Sequence, residues 1–110
     1  MAHRLSIDDL PGRAVAKLFE GVEHGSPVSV FVSSHEPGDG PQLHRHPYVE
    51  TFVMLEGHAR FEADGESIEA GPGEIVIVPA EAAHRFENSG DVPLRQVSVH
   101  PSERVIQEDL

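Results

Sequence analysis

Short runs of β-branched, aromatic and other apolar residues are cut at close intervals by glycine and proline. Pro11-Gly12, Gly25-Ser26-Pro27, Pro37-Gly38-Asp39-Gly40-Pro41, Gly57, Asp64-Gly65, Gly71-Pro72-Gly73, Pro79 and Pro93 mark the breaks. This is the pattern of many short strands joined by tight turns. It predicts strands over 14–19, 28–33, 49–55, 59–63, 67–69, 74–78, 84–87 and 94–100. Ala59, Phe61 and Ala63 alternate with Arg60 and Glu62, so that strand buries one face and wets the other. Asp64-Gly65 follows at once, and both residues tolerate the positive φ of a two-residue hairpin. Ile75-Val76-Ile77-Val78 is apolar in both phases, which predicts a strand covered on both sides. Only the ends suggest helix: Ser6–Leu10, with Ser6 as cap and Asp9 three residues on, and Ser102–Glu108.

The polar positions carry the chemistry. His44, His46 and Glu50 lie at even spacing, and side chains at even spacing share one face of an extended chain. Two imidazoles and a carboxylate on one face make a metal-ligand set lacking one partner from another strand. With no cysteine, any metal must bind through nitrogen and oxygen.

These residues stand in a longer pattern. Gly38, His44, His46, Glu50 and Gly57 fit G-x5-H-x-H-x3-E-x6-G, and Gly73, Pro79, His84 and Asn88 fit G-x5-P-x-G-x2-H-x3-N. Glu81 stands where the second pattern has glycine. The chain therefore resembles the cupin superfamily, in particular its small single-domain microbial members. The resemblance implies an all-β, jelly-roll-like double-stranded β-helix barrel spanning 1–110 as one domain. It also implies one divalent transition metal (Mn, Fe, Ni, Co or Zn) held by His44, His46, Glu50 and His84. Three imidazoles and one carboxylate leave open positions on a six-coordinate ion, as a catalytic metal requires. If the Glu81 position needs left-handed backbone, the side chain costs roughly 1 kcal/mol or more there.

Around the set, Tyr48, Phe52 and Met54 share its parity and Phe86 shares that of His84. They pack in a core or wall a pocket beside the metal. Gln42 precedes His44 by two and is a candidate to face the same cavity. Glu50 is a candidate to move a proton, and His100, in phase with Gln96 and Ser98, a candidate second-sphere or general-base group. Its place before Pro101 suggests the rim. His58, His3, His24 and His35 read as solvent-facing, and Arg60 and Arg95 lie out of phase with the inward residues. No G-x-S-x-G elbow and no phosphate-cradling glycine loop before a helix occurs.

Composition narrows the class. At 110 residues the chain holds one core. Eight Lys+Arg against nineteen Asp+Glu give a net charge of −11, which repels nucleic acid and anionic membrane. No 18-residue apolar run and no secretory signal is visible, so a cytoplasmic location is the expectation. The function expected is a metal-dependent enzyme acting on a small molecule by dioxygenase, decarboxylase or isomerase chemistry; the alternative is a non-catalytic module that binds a small ligand or a metal. Family analogy predicts a homodimer. Residues 1–12 are expected to be a mobile or dimer-packing arm.

Overall fold

The computed structural model describes residues 1–110. Eleven strands form: β1 (Gly12–Arg13), β2 (Ala16–Glu20), β3 (Ser29–His35), β4 (His44–Arg45), β5 (Glu50–Glu56), β6 (Ala59–Ala63), β7 (Glu66–Ala70), β8 (Ile75–Val78), β9 (His84–Asn88), β10 (Leu94–His100) and β11 (Glu108–Asp109). One sheet has the order β1-β2-β3-β10-β5-β8 and the other β11-β4-β9-β6-β7. Every pairing is antiparallel. The two sheets face each other as a jelly-roll barrel, so the all-β expectation holds.

Local chemistry explains several joints. Asp64 and Gly65 take φ of 49° and 83° and close β6 onto β7, pairing Ala63 with Glu66. Gly57 has φ of 80°, and a Cβ there would lie 2.7 Å from the Pro93 carbonyl oxygen, so backbone crowding and conformation both demand glycine. Glu81 has φ of 66°, the left-handed backbone for which glycine is favoured. Its N–H donates to the His46 carbonyl at 2.8 Å, which holds the loop in that shape.

The interior changes character along the strands. On β5 the inward residues run Glu50, Phe52, Met54; on β10 they run Leu94, Gln96, Ser98, His100 in the opposite direction. One end is therefore apolar: Phe52, Met54, Ala59, Phe61, Ala70, Val76, Val78, Ala82, Phe86 and Leu94 form the core. Phe52, Phe61 and Phe86 meet with ring centroids 4.8 to 5.7 Å apart. The other end, from Gln96 to His100 and at Glu50, is polar although buried.

The outer face of the larger sheet inverts the usual pattern of polar residues facing water. Phe19, Val30, Val99, Thr51 and Ile77 form one cross-strand row, and Val32, Val97, Val53 and Ile75 another. This corrects one expectation: β8 is an edge strand covered on one side only, and Ile75 and Ile77 are 62% and 66% exposed. Residues of the N-terminal arm, Leu5 and Ile7 among them, lie near Phe19, Val30 and Val32 on this face.

Neither predicted terminal helix forms as such. Ile7–Asp9 is a single 3-10 turn, and Ser6 makes no side-chain cap. Residues 102–107 are irregular and lead into β11. There the backbone is engaged by the barrel: the Val105 N–H donates to the Glu20 carboxylate, the Ile106 N–H to the Tyr48 hydroxyl, and the Ile106 carbonyl accepts from His46. These long-range bonds override a weak local helix preference.

Replacing Glu81 by glycine should relieve the left-handed strain. The gain is partly offset by the greater freedom of the unfolded chain, so urea unfolding of Glu81→Gly should show about 0.5–1 kcal/mol of added stability. A loss of stability would mean that the Glu81 side chain, 3.9 Å from Arg45, contributes more than its backbone costs.

Candidate metal centre

Three separate stretches of chain converge on one point. β4 pairs with β9 through His44 and His84, which sets two imidazoles side by side at 4.3 Å between centroids. The chain then turns over residues 46–49 and enters β5 at Glu50. His44, His46, Glu50 and His84 are all buried, and one donor atom from each lies within 4.8 Å of the others.

The hydrogen bonds behind the rings fix their state. A backbone carbonyl only accepts, so each Nδ1 carries the proton that bonds it: His44 to Gln42 O at 2.7 Å, His46 to Ile106 O at 2.7 Å, and His84 to Ala82 O at 2.9 Å. In the neutral rings every Nε2 is then a lone pair. Those of His84 and His46 face Glu50 Oε1 at 3.0 and 3.2 Å. The His46 Nε2 is buried and makes no hydrogen bond. Lone pairs from several groups aimed at each other repel unless a cation stands among them, and a three-nitrogen, one-carboxylate set suits a divalent transition metal.

Glu50 is the hub. Burial opposes its ionisation, but the nitrogens of His100, His46 and His84 outweigh burial and hold the carboxyl far below the usual carboxylate range. Burial is also the largest influence on His46 and lowers its basicity; the Glu50 carboxylate and the Ile106 carbonyl together overcome it, and the net shift is upward. His44 shifts downward, chiefly through burial.

His100 does not sit at a rim. It is 1% exposed: it shares the inward phase of β10 with Gln96 and Ser98, and the segment after β10 is bonded beside it, through the Ile106 N–H to Tyr48. Its Nε2 lies 3.1 Å from Glu50 Oε2, and its Nδ1 lies 2.6 Å from the Tyr48 hydroxyl. The polarity is consistent along the chain of bonds. The Ile106 N–H donates to Tyr48, Tyr48 to His100 Nδ1, and His100 Nε2–H to Glu50 Oε2. One carboxylate oxygen thus faces the imidazoles of the cluster and the other faces His100.

A cavity of about 140 Å³ opens beside the cluster. Phe52, Phe86, His44, His46, Glu50 and His100 line it. Gln42 does not: it is exposed and contributes only its carbonyl to His44. Met54 lies one step deeper, in the core. Tyr48 acts from behind His100. Arg60 and Arg95 pair with Glu87 and Glu56 at the exposed surface. His58 and His3 are exposed and His24 is half-buried against Phe19. His35, by contrast, is buried, lines the cavity and packs edge-on against Phe86. The sequence missed it, with Ser33, Gln96 and Ser98, because in β3 and β10 the polar residues face inward and the valines outward. The even spacing of Ser33 with His35, and of Gln96 with Ser98 and His100, was the available signal.

A model of the cupin domain matches residues 31–100. SchB of Streptomyces halstedii is 38% identical over 104 residues, covering 87% of this chain and 75% of SchB. Quercetin 2,3-dioxygenase of Bacillus subtilis is 41% identical over 59 residues, covering 52% of this chain and 18% of the dioxygenase. The solved oxalate decarboxylase of Lactobacillus farciminis, a formate complex, superposes with a TM-score of 0.81 at 22% identity, over 94% of this chain and 34% of that one. This last likeness is one of fold. The chain spans less than half the length of most of the curated relatives it matches.

A metal at these four side chains must displace the proton that His46 holds to higher pH than an ordinary histidine. Its affinity should be full above that raised value and fall as pH drops through it. Calorimetric titration with Mn(II) or Zn(II) from about pH 8 to about pH 5 should show about a tenfold or greater loss. A constant affinity across that range would exclude His46 as a ligand.

Proposed function

The chain belongs to the cupin family, and from that premise and its buried cluster we propose that it is a metal-dependent enzyme acting on a small organic molecule. The observation that carries this reading is the convergence of three imidazole nitrogens and one carboxylate, each held from behind, at the wall of an accessible cavity. His44, His46, Glu50 and His84 would hold one divalent transition ion. When bound, that ion supplies Lewis-acid or dioxygen-binding chemistry at its open positions.

The rest is the work of this chain's own side chains. Carbonyls at Gln42, Ile106 and Ala82 orient the imidazoles. Phe52 and Phe86 shield the cavity from water. The hydrogen-bonded series of Glu50, His100 and Tyr48 offers a route for a proton between the cavity and the C-terminal segment. That series favours an enzyme over a non-catalytic metal- or ligand-binding module, which would need the four ligands but not the proton route. The resemblance to a dioxygenase supports oxidation of a small molecule, and decarboxylation would use the same metal and proton route. Isomerisation draws on the same proton route.

Two copies of the chain would pair over the apolar outer face of the larger sheet. Ile75, Ile77 and Leu55 are the large side chains left exposed there, at the β8 edge and on its neighbour β5.

Elemental analysis of the purified protein should find one divalent metal per chain, and His46→Ala should lose it. Equal metal in both proteins would rule out the site. His100→Gln should keep the metal and lose about a hundredfold or more in turnover of a small organic substrate. Light scattering should give a dimer mass for the parent and a monomer mass for an Ile75→Glu, Ile77→Glu double variant. A monomeric parent would refute the pairing.

A further inference from the structure

Gln96 lines the cavity, and neither the fold nor the metal cluster uses its side-chain oxygen. It lies in the middle of β10, opposite Ser33 on β3 and Met54 on β5, and it is 1% exposed. Its side-chain oxygen has no hydrogen-bond partner within the protein. A buried amide without a partner is destabilising relative to an apolar side chain of the same size. Within the protein that oxygen goes unpaired, and a polar group entering the cavity beside it would supply the missing partner.

The surroundings say what that is. Ser33 and His35 add polar groups to the lining, while Phe31, Phe52 and Phe86 add aromatic faces. No arginine or lysine lines the cavity. His35 is no substitute for one, since burial, its largest influence, makes it less basic than an ordinary histidine. A carboxylate reaching beyond the metal cluster would meet no counter-charge. The cavity, about 140 Å³, is close to the size that accepts a single benzene-like ring. A side-chain amide presents a carbonyl or an NH2 group according to its flip, and a hydroxyl, which both donates and accepts, serves either.

We infer that Gln96 selects the ligand of this cavity by bonding to a hydroxyl group, and that the ligand is a neutral hydroxylated molecule of about one ring rather than a small dicarboxylate. This rests on the reading that the metal cluster and the cavity are one site.

The test uses the full chain, metal-loaded and after chelation, with resorcinol, toluene and oxalate as probes and Gln96→Met and Gln96→Leu as variants. Calorimetry should show resorcinol binding about tenfold or more tighter to the parent than to either variant, with toluene unweakened by the substitutions. In the parent, resorcinol should move the NMR signals of the Gln96 side-chain amide. Both variants should melt no lower than the parent, as expected when an unpartnered buried amide becomes apolar.

Absence of resorcinol binding, or equal affinity in parent and variants, overturns the inference. So does oxalate losing as much affinity as resorcinol on substitution, or both variants melting well below the parent, which would make the amide structural. A parent that carries no metal would sink the proposed enzyme instead. The dependence of resorcinol binding on Gln96 would still be measurable in that metal-free protein.

Discussion

The structure turns on the mutual repulsion of lone pairs around Glu50. Three imidazoles are each tied through Nδ1 to a backbone carbonyl, so their Nε2 atoms are committed to the interior. Two of them face a carboxylate oxygen at 3.0 and 3.2 Å. Such a cluster is stable only with positive charge among its members, whether protons or a metal ion. The barrel makes that arrangement possible by supplying the carbonyls from three different places: the loop before β4, the loop before β9 and the segment after β10.

The second organising feature is a polar interior at one end of the barrel. An antiparallel sheet facing water usually carries its apolar residues inward. In β3 and β10 the reverse holds: Ser29, Ser33, His35, Gln96, Ser98 and His100 are inside, and valines are outside. Burying polar groups is tolerable because the apolar end, built on Phe52, Phe61, Phe86, Met54 and Leu94, supplies the burial that holds the sheets together. The division has a functional reading. The apolar end fixes the strands, and the polar end carries the His/Glu cluster, the Glu50–His100–Tyr48 hydrogen bonds and the Gln96 amide on them. The inverted outer face is the counterpart, and it leaves Ile75 and Ile77 exposed.

Much of this was legible in the residue order. The turn at Asp64-Gly65, the strand at 59–63 and the shared face of His44, His46 and Glu50 follow from local rules of backbone and pleat, which need no knowledge of the rest of the chain. The left-handed residue at Glu81 was flagged by its place in the motif and is found there. The failures have a common cause as well. By local pattern alone His100 reads as a rim residue, His35 as solvent-facing and Gln42 as cavity-facing. Residues 102–108 read as a helix candidate. In each case the answer depends on a distant segment: the C-terminal segment bonded beside His100, the packing of Phe86 on His35, the exposed turn before β4, and the bonds from Tyr48, His46 and Glu20 to the tail.

By itself, then, the sequence determined the strand-rich class, the His/Glu cluster and its spacing, and the family to which they belong. All of these are written in period and in short-range motif. Only the tertiary structure decided which phase of each strand is inside, because parity sorts residues into two faces without saying which face meets the opposite sheet. It also decided that both oxygens of Glu50 are engaged on different sides, and that Gln96 stands buried with no partner. Those facts come from register between strands far apart in the chain, where long-range packing, not local preference, sets the lowest free energy.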